Sequence, residues 1–476
     1  MTQTPTEEQQ SAIEHCTKTA HPNLMLNALA GTGKSATLKM IDKASKIHPA
    51  LYLVFNKRNA DEAKASEGFR TTTTIKTFNA CGHGIWAGYV SAKLVLDKAK
   101  SRTLWRRLVD DMTKAEATAA WPEYHVVMDG LEKAKALGYV PKGCKLPHTA
   151  LIDQHTFHNA MDEIPNDIAS NLIDDILLES IKSAYSGCID FNDQIYMPAL
   201  FGGTFPKFPR VMVDEYQDQS PVNHAMLARL VKGRIIGVGD PFQNIYGFRG
   251  AKSGGMTNAI STYSMSELPL SVSFRCPQAI VEAARWRVPH FKWTKAGGHV
   301  ATQTEPLDGR SFADDSTIIC RNNAPLLRLA FQLISVGRSV NVLGSELGPR
   351  LVGVLKKLGD STMPREKAMS AIEEWRETKL VAGSKSANDL ADCMRVLCEH
   401  GDSLSQAISY AEHIFAQTGT IRLLTGHKSK GLEFDNVFWL DPWLCKDTEQ
   451  DKNLSYVITT RSQNKLTMLD SSCIRW

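Results

Sequence analysis

Short apolar runs punctuate this chain, and longer stretches rich in Ala, Lys, Leu and Asp separate them. Leu24–Leu26 opens the series, followed by Ala50–Asn56, Arg210–Glu215 and Arg234–Asp240. Runs this short, rich in Val, Ile and Leu, suit buried strands. Between Ala50–Asn56 and Arg210–Glu215, Trp86–Gly187 carries apolar residues at helical spacing. A second β-rich series follows at Leu268–Arg275, Ser316–Arg321, Ser339–Gly344, Thr420–Gly426 and Asn436–Leu440, broken by a charged helical stretch from Ser345 to Gln417. Ala36–Ile47 is predicted to be a helix with Leu38, Ile41 and Ile47 along one face. Strands alternating with helices predict an α/β fold of two doubly wound parallel sheets, each with a mainly helical insertion. No internal repeat or low-complexity tract interrupts that pattern.

Size and charge narrow the class. At 476 residues the chain exceeds one ordinary core, so a few domains are expected. The 43% hydrophobic and 22% charged content describes a soluble globular protein. Net charge is only +4, so any basic surface for nucleic acid must be local rather than global. Ten scattered cysteines form no CxxC pair, which argues against zinc or an iron–sulfur cluster and for reduced thiols inside a cell. The polar, acidic start "MTQTPTEEQQ" does not read as a signal peptide, and no apolar run is long enough to cross a bilayer.

Three segments carry candidate chemistry. In "LMLNALAGTGKSATL" a Gly-Thr-Gly-Lys-Ser turn joins a strand to a helix. That geometry aims backbone N–H groups and the positive end of a helix at a phosphate; Lys34 would reach the outer phosphates and the Ser35 hydroxyl would ligate magnesium. Ala28 stands where the strict consensus has glycine, and a flexible turn is the plainer alternative. In "VMVDEYQDQS" an apolar run ends in two carboxylates at the C-terminal lip of a parallel strand, where open sheets bind ligands. Asp214 would hold the magnesium and Glu215 would polarise the attacking water. The bland alternative, acids that merely end a strand, weakens once a phosphate loop lies upstream. In "GVGDPFQNIYGFRGA", Gln243 is an amide able to sense a phosphate, while Tyr246, Phe248 and Arg249 could contact unpaired bases. Aromatic stacking on bases is worth roughly 1–3 kcal/mol per base and tolerates any sequence.

Taken together, the segments resemble, in order and wording, a superfamily 1A DNA helicase of the UvrD/Rep/PcrA type, nearest its compact F-box DNA helicase-like or phage-type members. The resemblance covers nearly the whole chain. "TPTEEQQSAI" is similar to the adenine-reading Q motif, with Gln9 as the base-contacting amide; "LVFNKRNADEAK" and "TIKTFNACG" resemble motifs Ia and Ib, implying strand contacts through Phe55, Asn56, Thr77 and Phe78. "DEYQD" and "GDPFQNIYGFRGA" match motifs II and III, "LSVSFRCP" motif IV, "TGHKSKGLEFDNV" motif V and "SYVITTRSQNKLTML" motif VI, and "IDFNDQIYMP" resembles the segment before motif II. The departures are Asn79 for a common His, Phe248 for Trp, Ser-Phe-Arg for Asn-Tyr-Arg in motif IV, and Ala36 for a basic residue.

The resemblance implies two RecA-like domains: 1A from 1–85 and 188–264, 2A from 265–344 and 418–476, a helical insertion 1B at 86–187 and a short insertion 2B at 345–417. It implies ATP and Mg2+ as cofactors. Ala30, Gly31, Thr32, Gly33, Lys34 and Ser35 would hold the nucleotide with Gln9, Phe274, Gly431 and Glu433; Lys34, Asp214, Glu215, Gln243, Arg275 and Arg461 would be catalytic; Thr425 and His427 would join the DNA contacts. The implied function is 3′ to 5′ movement on single-stranded DNA coupled to strand separation. The alternatives are a translocase that mainly strips proteins from DNA, and a P-loop ATPase that is no motor. Implied partners are single-stranded DNA, single/double-strand junctions, and single-strand-binding or recombinase proteins, with no membrane. The implied location is bacterial cytoplasm or nucleoid, or host cytoplasm for a phage protein.

Overall fold

A computed structural model describes residues 4–18, 23–245, 255–344 and 346–476. The chain divides into two compact units, one of residues 1–29 and 33–270, the other of 30–32 and 271–476. Tyr246, Phe248 and Arg249, expected to face a DNA strand, lie outside the described residues.

The first unit is built on six parallel strands, ordered Thr73–Thr77, Ala50–Val54, Phe208–Val213, Val231–Gly239, Leu24–Ala28 and Ser266–Leu270. Alternate side chains of the inner strands enter two different cores. Leu24, Leu26, Tyr52, Met212 and Ile236 pack with Leu38 and Ile41 of the helix Lys34–Ala44. Met25, Leu51, Leu53, Val211 and Val213 pack on the opposite face with Trp86 and Ile181 of the helical insertion and with Met226 of the helix Pro221–Leu230, among others. Burial on both faces explains why the inner strands read as continuous apolar runs rather than alternating ones.

The edges depart from expectation. Thr73–Thr77 was not anticipated as a strand, because "TTIKT" is polar and only its first residue is buried. Leu268–Arg275, expected as one strand, splits: Ser266–Leu270 closes the first sheet at an edge that tolerates Pro269, while Val272–Ser273 pairs with Lys292–Trp293 in the second unit. The helix expected over Ala36–Ile47 runs from Lys34 to Ala44 instead. Ser45 turns extended and its hydroxyl accepts from the Ile47 amide at 3.2 Å, so Ile47 leaves the helical face. Asp42, in the last turn, forms a fully buried ion pair with Arg210 and accepts from the Thr73 hydroxyl at 2.8 Å. Removing one partner of such a pair typically costs about 3–5 kcal/mol.

Within the insertion a second buried charge cluster fixes the segment ahead of the Phe208–Val213 strand. Lys135 reaches Asp190 at 2.6 Å, Asp193 at 2.7 Å and the Ser180 hydroxyl at 2.9 Å; Lys100 reaches Asp193 at 2.6 Å and the Ser180 carbonyl at 2.7 Å. Burial pushes the Asp193 carboxyl up, but the two ammonium groups outweigh it and hold it below the usual range.

The second unit repeats the plan with six parallel strands, ordered His299–Gln303, Ser462–Leu469, Phe434–Leu440, Thr317–Cys320, Ile421–Thr425 and Val340–Val342. Its inserted helices, Leu347–Leu358, Arg365–Val381, Ala387–Glu399 and Leu404–Ala416, share one core with the sheet. Among the described residues no helix is long and apolar enough to cross a membrane.

Candidate active site

The Leu24–Ala28 strand leads into the turn that opens the helix Lys34–Ala44. Gly31 and Gly33 take φ of 70° and 78°, the left-handed region that glycine enters without a Cβ penalty. Gly33 precedes the first helical residue, so the free amides of the first turn open beside Lys34, as an anion cradle requires.

Lys34 lies across from the end of the Phe208–Val213 strand. Its ammonium donates to both Glu215 oxygens, at 2.9 and 3.0 Å. Burial opposes the charge on Lys34, but Glu215, Asp214 and Asp240 outweigh it and raise its pKa. Glu215 itself sits at φ 48°, a conformation that costs a residue with a side chain, and Gln219 donates to its carbonyl at 3.2 Å and to that of Asp214 at 3.3 Å. Asp214 is buried, accepts from the Tyr52 hydroxyl at 2.8 Å and from the Glu215 amide at 2.9 Å. Burial, then the Glu215 charge, pushes the Asp214 carboxyl up.

Ser35 lies close enough to the Tyr52 phenol to act on its titration, so the two expected metal ligands, Ser35 and Asp214, share one neighbour. A hydroxyl and a carboxylate at one spot make a hard oxygen pair that fits Mg2+, which takes its other ligands from water and phosphate. Among the described residues no group of three or more His, Cys, Asp or Glu is arranged to hold a metal ion.

Gln243, expected at the phosphate, donates to Asp240 at 2.7 Å in the 3-10 turn Pro241–Gln243. Gln9 closes a capping box with Thr6 and donates to the Thr37 hydroxyl at 3.0 Å, which ties the first helix to the helix after the loop.

The remaining candidates belong to the second unit. There the Tyr456 hydroxyl accepts from the Ala30 amide at 3.0 Å, the Ser273 hydroxyl donates to the Ala30 carbonyl at 3.0 Å, and the Phe274 amide donates to the Gly31 carbonyl at 2.9 Å. Thr32 is buried. Arg275 pairs with Glu433, whose other oxygen takes the Gln463 amide at 2.6 Å. Arg461 is only 1% exposed and donates to the Val457 carbonyl, the Leu432 carbonyl and the Thr460 hydroxyl. Burial, then the Arg275 charge, holds its pKa down to about 10. Gly431, at φ 80°, has nothing within 4 Å of where a Cβ would stand, leaving its backbone approachable.

The expected strand contacts do not all face outward. Phe55 is exposed. Asn56 and Thr77 cap the helices Lys57–Ala65 and Phe78–Val90 at the ends of neighbouring strands. Phe78, however, is 4% exposed and packs in the core with Cys81 and Ile85, because the helix phase turns it inward. Thr425 is buried and immediately precedes the short helix that carries His427, without a side-chain capping bond.

Three residues outside the expected set stand out. Tyr52 reads as core in its apolar run, yet its hydroxyl holds Asp214. Gln217, two positions after Glu215, bonds to that carboxylate. Phe191 is 60% exposed and its carbonyl accepts the Asn79 amide at 2.9 Å, beside the expected strand contacts. The "DEYQD" and "IDFNDQ" strings contained the last two, but only the fold shows what they touch.

Comparison with known proteins places these features in a family. Residues 5–264 match the UvrD/REP helicase N-terminal domain, and residues 420–469 match the UvrD-like helicase C-terminal domain. F-box DNA helicase protein 1 of Schizosaccharomyces pombe is 22% identical over 543 residues, covering 98% of this chain and 57% of that protein. F-box DNA helicase 1 of Gallus gallus is 24% identical over 514 residues, covering 98% and 49%. ATP-dependent DNA helicase PcrA of Leuconostoc citreum is 23% identical over 317 residues, covering 59% and 40%. The chain spans about half the length of the relatives it matches.

Proposed function

The chain belongs to the UvrD/REP helicase family, and on that premise we propose that it is an ATP-driven DNA translocase and helicase, moving 3′ to 5′ along single-stranded DNA. The observation that carries this reading is the convergence, at one end of the first sheet, of Lys34, Asp214, Glu215, Gln217 and Asp240 in a single network of polar contacts. A glycine turn opening a helix, one ammonium and paired carboxylates make the chemistry of phosphoryl transfer to water.

In this reading the turn from Ala30 to Gly33 and the first amides of the helix hold the nucleotide phosphates. Lys34 neutralises the outer ones. A phosphate oxygen reaching Lys34 competes with Glu215 for it, which releases that carboxylate to orient water and accept its proton. Mg2+ bound by Ser35 and Asp214 would neutralise phosphate charge. Arg275 and Arg461 would supply further positive charge to the γ-phosphate. Phe55, Asn56 and Thr77, with Phe191 beside them, lie on the surface that takes the strand, Asn56 and Thr77 at helix N-termini that favour phosphate. The stretches 86–187 and 345–417 take the place of the family's accessory regions 1B and 2B.

The test is ATP turnover with single-stranded DNA, duplex DNA or RNA, followed by unwinding of duplexes with 3′ or 5′ tails. Single-stranded DNA should stimulate turnover, binding should weaken steeply with salt, and only duplexes with a 3′ tail should open. Lys34→Ala should abolish hydrolysis in a folded protein that still binds DNA. Strand-independent turnover would leave a P-loop ATPase without a motor, and unwinding from 5′ tails would refute the polarity.

A further inference from the structure

Gln217 is 2% exposed and uses both ends of its amide. Its nitrogen donates to Glu215 Oε2 at 2.6 Å, and its oxygen accepts from the Asp240 backbone amide at 3.0 Å. Asp240 begins the turn Asp240–Gln243: its carboxylate accepts from the Phe242 amide at 3.0 Å and from the Gln243 side chain at 2.7 Å. The neighbouring backbone is cut to fit, since a Cβ on Gly239 would stand 2.5 Å from the Gln217 oxygen. Glu215, meanwhile, is held in a left-handed conformation with Lys34 on its carboxylate. One side chain therefore spans the gap between the carboxylate that would orient water and the turn that leads out of the Val231–Gly239 strand.

We propose that Gln217 is a positioning residue that links the orientation of the Glu215 carboxylate to the conformation of the Asp240–Gln243 turn, so that strand binding beyond that turn sets the rate of hydrolysis. This rests on the ATP-driven translocase reading given above. A primary amide is the side chain suited to the task, because it donates to a carboxylate at one end and accepts a backbone N–H at the other. When the turn shifts, the amide must follow it or lose a buried hydrogen bond, and either outcome moves its grip on Glu215.

The test compares three variants with the wild type. Gln217→Met keeps the shape and removes both hydrogen bonds. Gln217→Glu keeps an acceptor for the Asp240 amide, loses the donor and sets a second negative charge against Glu215. Gly239→Ala leaves Gln217 in place and pushes its oxygen aside. Turnover is measured with and without single-stranded DNA, together with KM for ATP and melting temperature. The ratio of stimulated to basal turnover should fall at least tenfold in all three, through kcat rather than KM, at a temperature where the melting curve shows each variant folded. Should Gln217→Met fail to fold, the other two variants decide. A ratio that stays at the wild-type value, or basal and stimulated rates that fall in equal proportion, overturns the role of Gln217. A wild type with no stimulation at all overturns the helicase reading instead.

Discussion

Arg461 is the residue where stability and catalysis are most easily confused, and the structure supplies the means to separate them. Its guanidinium is buried and donates to Val457, Leu432 and Thr460 at 2.9, 3.0 and 3.2 Å. Hydrogen bonds from a charged donor are worth about 1.5–3 kcal/mol each, and buried acceptors left without one add their own desolvation cost. Arg461→Ala should therefore destabilise the second unit by roughly 2–5 kcal/mol, which at about 2–4 °C per kcal/mol for a unit of this size is a visible fall in melting temperature. Arg275 pairs with a half-exposed Glu433, so Arg275→Ala should cost at most about 1 kcal/mol. If both guanidinium groups reach the γ-phosphate, both variants should lose DNA-stimulated turnover, by up to the roughly 10³–10⁵ typical of arginine fingers. Arg461→Lys should restore neither property fully, since an ammonium cannot serve three divergent acceptors or fork across two oxygens. The assay is turnover at a temperature where each variant is folded by circular dichroism, beside a melting curve. A folded Arg461→Ala with near-wild-type turnover would refute the phosphate role. Loss in Arg461→Ala with full activity in Arg275→Ala would make Arg461 a buttress for the Leu432–Glu433 turn.

Other outcomes follow from the same geometry. Glu215→Gln should retain nucleotide affinity and stall hydrolysis, because the amide oxygen still accepts from Lys34 and Gln217 while the carboxylate base is gone; a collapse of nucleotide binding, read by fluorescent-analogue titration, would instead make Glu215 a holding group. Lys135→Met should destabilise the first unit by about 3–5 kcal/mol in urea unfolding, leaving two buried carboxylates to Lys100 alone, and adding Asp190→Asn should recover part of that loss. Since Asp193 is held below the usual carboxylate range, its share of stability is present above about pH 4 and is lost as the pH falls through its depressed folded pKa. Lys135→Met should move that acid limb to higher pH, and an unmoved limb would remove the assignment.

The parts of the site that were legible in the sequence are those whose partners are close in the chain. A glycine turn between a strand and a helix, and two acids at the end of an apolar run, carry their chemistry in a few adjacent letters. Tyr52 was not legible, because its role depends on the Ala50–Val54 strand lying beside Phe208–Val213. Gln217 was printed inside a recognised motif, yet nothing in the string tells that its oxygen meets the Asp240 amide. Phe78 was expected at the strand through the resemblance of "TIKTFNACG" to motif Ib, and its burial shows only once the helix phase is known. Edge strands such as Thr73–Thr77 carry too little apolar patterning to announce themselves, and the single run Leu268–Arg275 hid the point where the chain leaves the first sheet.

The electrostatics of the first unit point to what the site must recruit. Asp214, Glu215 and Asp240 gather around one buried ammonium, that of Lys34. Burial pushes the carboxyls of Asp214 and Asp240 up, while the Lys34 charge pulls them the other way. A polyphosphate approaching such a cluster adds negative charge to a deficit, and at close range in a poorly solvated cleft that repulsion is several kcal/mol. Helix amides offset part of it, and Lys34 can serve the phosphate only by leaving Glu215. A divalent cation held by Ser35 and Asp214 would offset the rest, which is the charge that the ATP-driven reading proposed above requires.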